Sequence, residues 1–219
     1  MRQRNIKNLD ERIEANANYL IEDPRACRGH WREIFGNENP IYLEIGCGKG
    51  QFITAHAERE PNSNFIACEG QASVVLRALE KAEEQSMENL RIFIDYVHDL
   101  ADYFEPGELA GIYLNFSDPW PKARHAKRRL TYHKNLANYR SVLEAGGFIE
   151  FKTDNEGLFT FTLEEIAAAG YPVIEMTRDL HGDAAALGTY AAASRTYMTE
   201  YEAKFSAQGK NINFVRISG

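Results

Sequence analysis

Short apolar runs set between helical periodicities constrain this chain most. Residues 41–45, 64–68, 90–94 and 111–116 are brief apolar segments, and 51–59 and 72–85 between them carry apolar residues at helical spacing. A parallel strand buried on both faces reads as a continuous apolar run, and its crossover reads as an amphipathic helix. The pattern continues through helix 132–143, a Gly146-Gly147 stop, strand 148–152, helix 158–169, strand 172–176, helix 199–206 and strand 212–217. The expected fold is therefore α/β, a seven-stranded, mostly parallel sheet with helices on both faces. An amphipathic helix over 10–21 and a polar stretch ending at Pro40 form a helical lead-in, residues 1–40, to a single domain spanning 1–219. The small-residue segment 184–194 reads as a long loop.

With 44% hydrophobic and 26% charged residues over 219 positions, the composition is that of a soluble globular protein, and no run is long enough to span a bilayer. The charged amino terminus lacks the apolar core of a secretory signal, so a cytoplasmic protein with no membrane association is expected. Cys27, Cys47 and Cys68 are odd in number and far apart, which argues against a disulfide framework or a zinc site. His30, His56, His98 and His181 lack metal-ligand spacing and read as surface or core residues, so no metal is expected.

Glu44-Ile-Gly-Cys-Gly-Lys-Gly50 ends the first strand and opens a helix, the context of a nucleotide-type glycine loop. Gly46, Gly48 and Gly50 let a ligand approach the backbone. Their G-x-G-x-G spacing differs from the dinucleotide pattern and resembles motif I of S-adenosylmethionine-dependent methyltransferases. Glu44 suits a cationic amino or sulfonium group. Glu69, at the end of the second strand, suits a pair of ribose hydroxyls, a device NAD folds share.

Residues 114–130, LNFSDPWPKARHAKRRL, join a strand-end acid to a basic cluster. Pro119 and Pro121 forbid a regular continuation, so Asp118 lies in a loop at a strand's carboxyl end, where open α/β sheets bind ligands. Six of the thirteen residues from Lys122 to Lys134 are Lys or Arg, in a chain of net charge −7, so the positive surface is local and fits an RNA backbone. Trp120 either stacks on a base or plugs the loop. Arg2 and Arg4 are either a second phosphate-binding arm or an ordinary charged terminus.

Taken with the glycine loop, the string from Leu114 to Arg129 closely resembles the bacterial tRNA (guanine-N7)-methyltransferases. Phe151-Lys-Thr-Asp-Asn155 and Met198-Thr-Glu-Tyr-Glu-Ala-Lys-Phe205 resemble that family's later motifs, so the likeness runs in order along nearly the whole chain. It implies a Rossmann-like class I methyltransferase fold, S-adenosylmethionine as cofactor, and tRNA as partner, methylated at N7 of the variable-loop guanine, position 46. It implies Asp118 as the catalytic position and Glu44, Glu69 and Asp118 on the cofactor side. Lys122, Asp154, Thr199 and Glu202 fall on the guanine side, and Arg124, His125, Lys127, Arg128 and Arg129 on the RNA contact; apart from the resemblance, His133 sits within the same basic cluster and suits an assisting RNA contact. One departure stands out: where the family carries an Asp that reads the cofactor's adenine, this chain has Phe93-Ile-Asp-Tyr96, leaving either Asp95 or Tyr96 for that contact. Whether a monomer or a homodimer works stays open. The rivals are an exocyclic-amine methyltransferase, disfavoured by a single proline between Asp118 and Trp120, a non-catalytic RNA-binding protein, and an NAD-dependent oxidoreductase.

Overall fold

In a computed structural model, described for residues 6–182 and 187–219, the seven expected strands form one sheet. They are β1 (Ile41–Ile45), β2 (Asn64–Cys68), β3 (Leu90–Phe93), β4 (Leu109–Asn115), β5 (Leu143–Thr153), β6 (Val173–Thr177) and β7 (Asn213–Ser218), in the spatial order β3-β2-β1-β4-β5-β7-β6. All neighbours are parallel except β7, which lies antiparallel between β5 and β6. The order reverses at β1 and β4, and that switch point opens a crevice at the strands' carboxyl ends.

Eight α-helices accompany the sheet among the described residues: α1 (Leu9–Glu14), α2 (Trp31–Phe35), α3 (Gln51–Arg59), α4 (Ala72–Glu84), α5 (His133–Val142), α6 (Glu156–Ala169), α7 (Thr189–Ser194) and α8 (Glu200–Ser206). Strand alternation assigns the faces. Ile41, Leu43 and Ile45 point to one side with Ile112, Leu114, Ile149 and Phe151, and are covered by α2, α5 and α6. Phe65, Ala67 and Ile92 point to the other, beneath Ile53 and Ala57 of α3 and Val75, Ala78 and Leu79 of α4. Further along that second face the lining turns polar: Glu44, Asn115, Glu150 and Lys152 are all buried there.

Three expectations about elements need correction. The helix expected over 10–21 stops at Glu14, because Asn16 turns its amide back onto the Arg12 carbonyl and Leu20 leaves helical geometry to bridge Ile92 on the edge of β3. The polar stretch before Pro40 contains α2, signalled by Trp31, Ile34 and Phe35 at helical spacing with Gly36 closing the helix in left-handed geometry (φ 69°). Trp31 is fully buried, donates its indole N–H to the Tyr103 carbonyl at 2.9 Å, and stacks on Phe104. Truncating such an anchor costs on the order of 3–5 kcal/mol. Residues 189–194 of the expected loop are helical as α7, since alanine is the strongest helix former and the Glu175 carboxylate accepts the N–H groups of Tyr190 and Ala191. Ala184, with Arg2 and Arg4, lies outside the described residues.

Candidate active site

A cleft of about 660 Å³ opens above the carboxyl ends of β1, β2 and β4. Ile45 and Gly46, where the glycine loop begins, are part of its wall. Gly46, Gly48 and Gly50 adopt positive φ (77°, 58° and 76°), a conformation that costs a residue with a Cβ. Above Gly46 and Gly48 the space where a side chain would stand is empty, whereas a Cβ on Gly50 would strike Ala78 at 2.5 Å. Two of these glycines therefore leave the backbone open to a ligand, and the third allows α3 to pack on α4.

Glu44 is 1% exposed on the polar face. Its Oε1 accepts the Asn115 amide at 2.8 Å, and its Oε2 has no partner. Burial pushes this carboxyl up to about 7, against the opposing pull of the Asn115 hydrogen bond and the Lys152 charge. A buried carboxylate oxygen with no donor is costly, and it marks a place where a cationic or N–H-bearing ligand group is accommodated. Glu69 accepts the Gly48 N–H at 3.2 Å through Oε2 and the Gln71 N–H at 3.1 Å through Oε1, which fixes it on the cleft wall.

At the third strand both contenders line the cleft. Asp95 is held by Arg25 of the lead-in at 3.0 Å and by the Tyr103 hydroxyl at 2.7 Å, and these partners keep its carboxyl below the usual range. Tyr96 is 61% exposed and its ring lies across Gly70, where a Cβ would come within 2.2 Å of it. The lead-in thus touches the site through Arg25.

The loop after β4 carries the strain. Phe116 and Trp120 have φ of 51° and 41°, a left-handed geometry that costs a residue with a side chain on the order of 1–3 kcal/mol and is concentrated at functional sites. Asp118 sits between them, exposed on the cleft wall, and among the described residues nothing hydrogen-bonds or ion-pairs with it. Lys127 and Arg128 line the same cleft, while Lys122 and Arg124 are exposed beside it on the short 3₁₀ segment Ala123–Arg128 and its cap.

Several residues expected as contacts are placed otherwise. Arg129 is spent on the loop itself: its guanidinium donates to the carbonyls of Pro119 (3.1 Å) and Trp120 (3.0 Å) and lies 4.2 Å over Phe161. It braces the turn through these two bonds. His125 meets Trp120 edge to face at 5.7 Å, and the Arg128 guanidinium lies 4.8 Å over the Trp120 ring, so Trp120 is clamped within the loop. His133 hydrogen-bonds Glu165 at 2.7 Å.

Glu202 is fully buried and does not reach the cleft. Its carboxylate binds the buried Lys152 ammonium at 2.8 Å and His181 at 2.9 Å, and it closes a reciprocal cap with Thr199, whose hydroxyl accepts the Glu202 N–H at 2.9 Å. Thr199 and Glu202 thus fasten α8 to β5. Asp154 follows β5 at the same edge as the Asp118 loop and is half-buried, 3.6 Å from Lys210. Asn115, Lys152 and His181 were missed in the sequence; Glu150 and Lys152, two charged residues inside strand 148–152, were the available signal for buried ion pairing.

A family model described as "Putative methyltransferase" matches residues 38–215. The chain is 46% identical to the tRNA (guanine-N(7)-)-methyltransferase of Lachnoclostridium phytofermentans over 213 residues, covering 97% of this chain and 96% of that protein. Its likeness to the enzyme of the same name from Brevibacillus brevis is also 46%, over 219 residues, covering 100% of this chain and 98% of the relative. Among solved structures, the 16S ribosomal RNA methyltransferase KamB superposes with a TM-score of 0.61 at 9% identity, over 87% of this chain and 92% of that one. A methyltransferase from Aquifex aeolicus described as SAM-dependent gives 0.53 at 12% identity, over 97% and 99%. The low-identity structures establish a Rossmann-like methyltransferase fold, and the relatives establish the branch: the chain belongs to the tRNA (guanine-N7)-methyltransferase family.

Proposed function

We propose that this chain transfers a methyl group from S-adenosylmethionine to N7 of a tRNA guanine, the variable-loop base at position 46. The observation that carries the reading is a cleft at the switch point of a methyltransferase sheet, lined by an unpaired Asp118 and the cations Lys127 and Arg128, with an orphaned Glu44 oxygen buried in the strand that leads into its glycine loop. The cofactor's groups fit the residues present. Glu44 Oε2 lacks a donor that an α-ammonium supplies, the bare backbone over Gly46 and Gly48 leaves room for the chain of the amino acid, and Glu69 suits the ribose hydroxyls. When bound, that cofactor supplies an electrophilic methyl on a sulfonium.

Guanine N7 has an in-plane lone pair and no proton to lose, so the protein needs no general base. Its work is alignment, which supplies roughly 7–11 kcal/mol when the reacting atoms are held in line at about 3–3.5 Å. Asp118 faces the positive charge that develops on the purine and stabilises it, having no counter-ion of its own to leave first. Asp154 accepts from the N1–H and N2–H edge that distinguishes guanine from adenine, and Lys122 flanks it. All these residues lie on one chain, so a monomer or a homodimer serves the reaction equally, in the cytoplasm where tRNA is used. Digestion of tRNA labelled by the protein tests the reading, with 7-methylguanosine expected as the only labelled nucleoside.

Two predictions follow from charge. Burial raises the Glu44 carboxyl from its ordinary value near 4.5 to about 7, so the ligand-free chain holds a proton there that the unfolded chain has lost, and folding stability falls as pH rises through that window. Binding a cation needs the carboxylate, so affinity runs the opposite way. Calorimetry with S-adenosylhomocysteine should show affinity rising up to about tenfold per pH unit below about 7 and flattening above it, with proton release on binding. Glu44→Gln should bind weakly and remove the slope; an unchanged slope in that variant would exclude Glu44 as its source. Separately, Arg124→Ala with Lys127→Ala should weaken tRNA binding and reduce the dependence of log K on log salt by up to about two, since two exposed cations are removed and the only hydrogen bond lost with them among the described residues is a long one, 3.4 Å, from Arg124 to His125. Filter binding over a salt series reads it, and an unaltered slope would place the RNA elsewhere.

A further inference from the structure

The turn that opens α8 is anchored three times over. Thr199 caps it, Glu202 ties it to Lys152 and His181, and Glu200 ion-pairs with Lys49 of the glycine loop at 2.9 Å and Lys81 of α4 at 3.7 Å. Three of its four side chains are thus consumed in fixing its position against the sheet and the glycine loop. The fourth, Tyr201, is 58% exposed, and among the described residues its hydroxyl makes no hydrogen bond. Its ring rests on Phe205 at 4.7 Å and on Phe116 at 6.2 Å. Phe116 lines the cleft, holds a left-handed backbone, and stands two residues before Asp118. A large, mostly exposed aromatic ring therefore stands on a turn fixed at three points and abuts Phe116 of the cleft wall.

We propose that Tyr201, supported by Phe116, is the platform on which the target guanine stacks during methyl transfer. The inference rests on the guanine-N7 reading and names a substrate-side residue for it. As the N7 lone pair forms its bond to the methyl carbon, the carbon–sulfur electron pair returns to sulfur and the purine takes up one positive charge; no proton moves. An aromatic face attracts a cationic ring more strongly than a neutral one. The contact therefore tightens along the reaction and accelerates it, where a contact of constant strength would only improve binding. It also accounts for so many charges being spent on a turn that makes no other use of them: a platform is effective only when its position is fixed beforehand.

The test uses the full chain with unmodified tRNA and methyl-labelled S-adenosylmethionine, comparing wild type, Tyr201→Phe and Tyr201→Leu. The leucine variant is expected to lose about 5- to 150-fold in kcat/KM, the range of a base-stacking contact, with most of the loss in kcat. Phenylalanine should restore the rate to within about twofold, since the ring and not the hydroxyl acts. S-adenosylhomocysteine affinity and the thermal midpoint should be unchanged in both. Wild-type turnover by Tyr201→Leu, an equal loss in Tyr201→Phe, or a loss of cofactor affinity that matches the loss of rate would each overturn the assignment. A wild-type protein that labels a nucleoside other than 7-methylguanosine would instead overturn the guanine-N7 reading, and the platform with it, so the two failures are told apart in one experiment.

Discussion

Asp118→Ala is expected to slow methyl transfer by roughly 10²–10³-fold, the usual effect of removing one preorganised group that faces developing charge. The structure explains why folding should not suffer: the side chain is exposed and has no partner among the described residues, so its removal orphans nothing. The strained geometry at Phe116 and Trp120 is held by Arg129 and the Trp120 clamp, which the substitution leaves in place. Affinity for tRNA should therefore be close to wild type. Asp118→Asn keeps the shape and loses the charge, so it should fall nearly as far as alanine if charge stabilisation is the role. Single-turnover rates with labelled cofactor decide this, and transfer at the wild-type rate by Asp118→Ala would remove that residue from the chemistry.

Lys152→Met should destabilise the protein by about 3–5 kcal/mol, because it takes the buried ammonium from the Glu202 carboxylate where water does not reach and leaves it only His181 and its own cap as partners. Lys152 also donates to the Tyr197 carbonyl at 2.9 Å, so the same change loosens the segment leading into α8. A loss of that size is a large part of the roughly 5–15 kcal/mol by which a domain is stable, and it should lower the melting midpoint by roughly 6–20 °C. The double variant Lys152→Met with Glu202→Leu should recover much of the stability, since replacing both members of a buried pair removes the unpaired charge. It should not recover catalysis, because the turn bearing Tyr201 loses two of its anchors. Denaturant unfolding of the three variants measures the cycle; a Lys152→Met protein within 1 kcal/mol of wild type would mean that the pair does not hold the cap.

The strand sequence was legible because burial on both faces leaves an unbroken apolar run, as at 64–68, and the glycine loop was legible because its backbone geometry demands glycine. Asp118 was legible from two prolines that end a strand. What escaped is where certain polar side chains are spent. Glu202, Thr199, Arg129 and His125 all belong to residue types that usually meet solvent or substrate; Glu202 is matched by Lys152, 50 residues away, while Thr199, His125 and Arg129 meet partners within the same turn or loop. The partner of Glu202 is Lys152 on β5, and those of Arg129 are carbonyls in the turn it follows. Long-range pairing of polar groups leaves no periodic trace, so the buried Lys152–Glu202 pair could not be read from the sequence. The breadth of the loop expected at 184–194 failed for a different reason: alanines form helix readily once a carboxylate such as Glu175 supplies the cap.

The measurement that bears most directly on the account is identification of the labelled nucleoside after the protein acts on unmodified tRNA with methyl-labelled S-adenosylmethionine. The account predicts 7-methylguanosine as the sole labelled product, lost when the variable-loop guanine at position 46 is replaced by another base. Label in an exocyclic-amine product such as N2-methylguanosine, or label at N7 that survives that replacement, would contradict it.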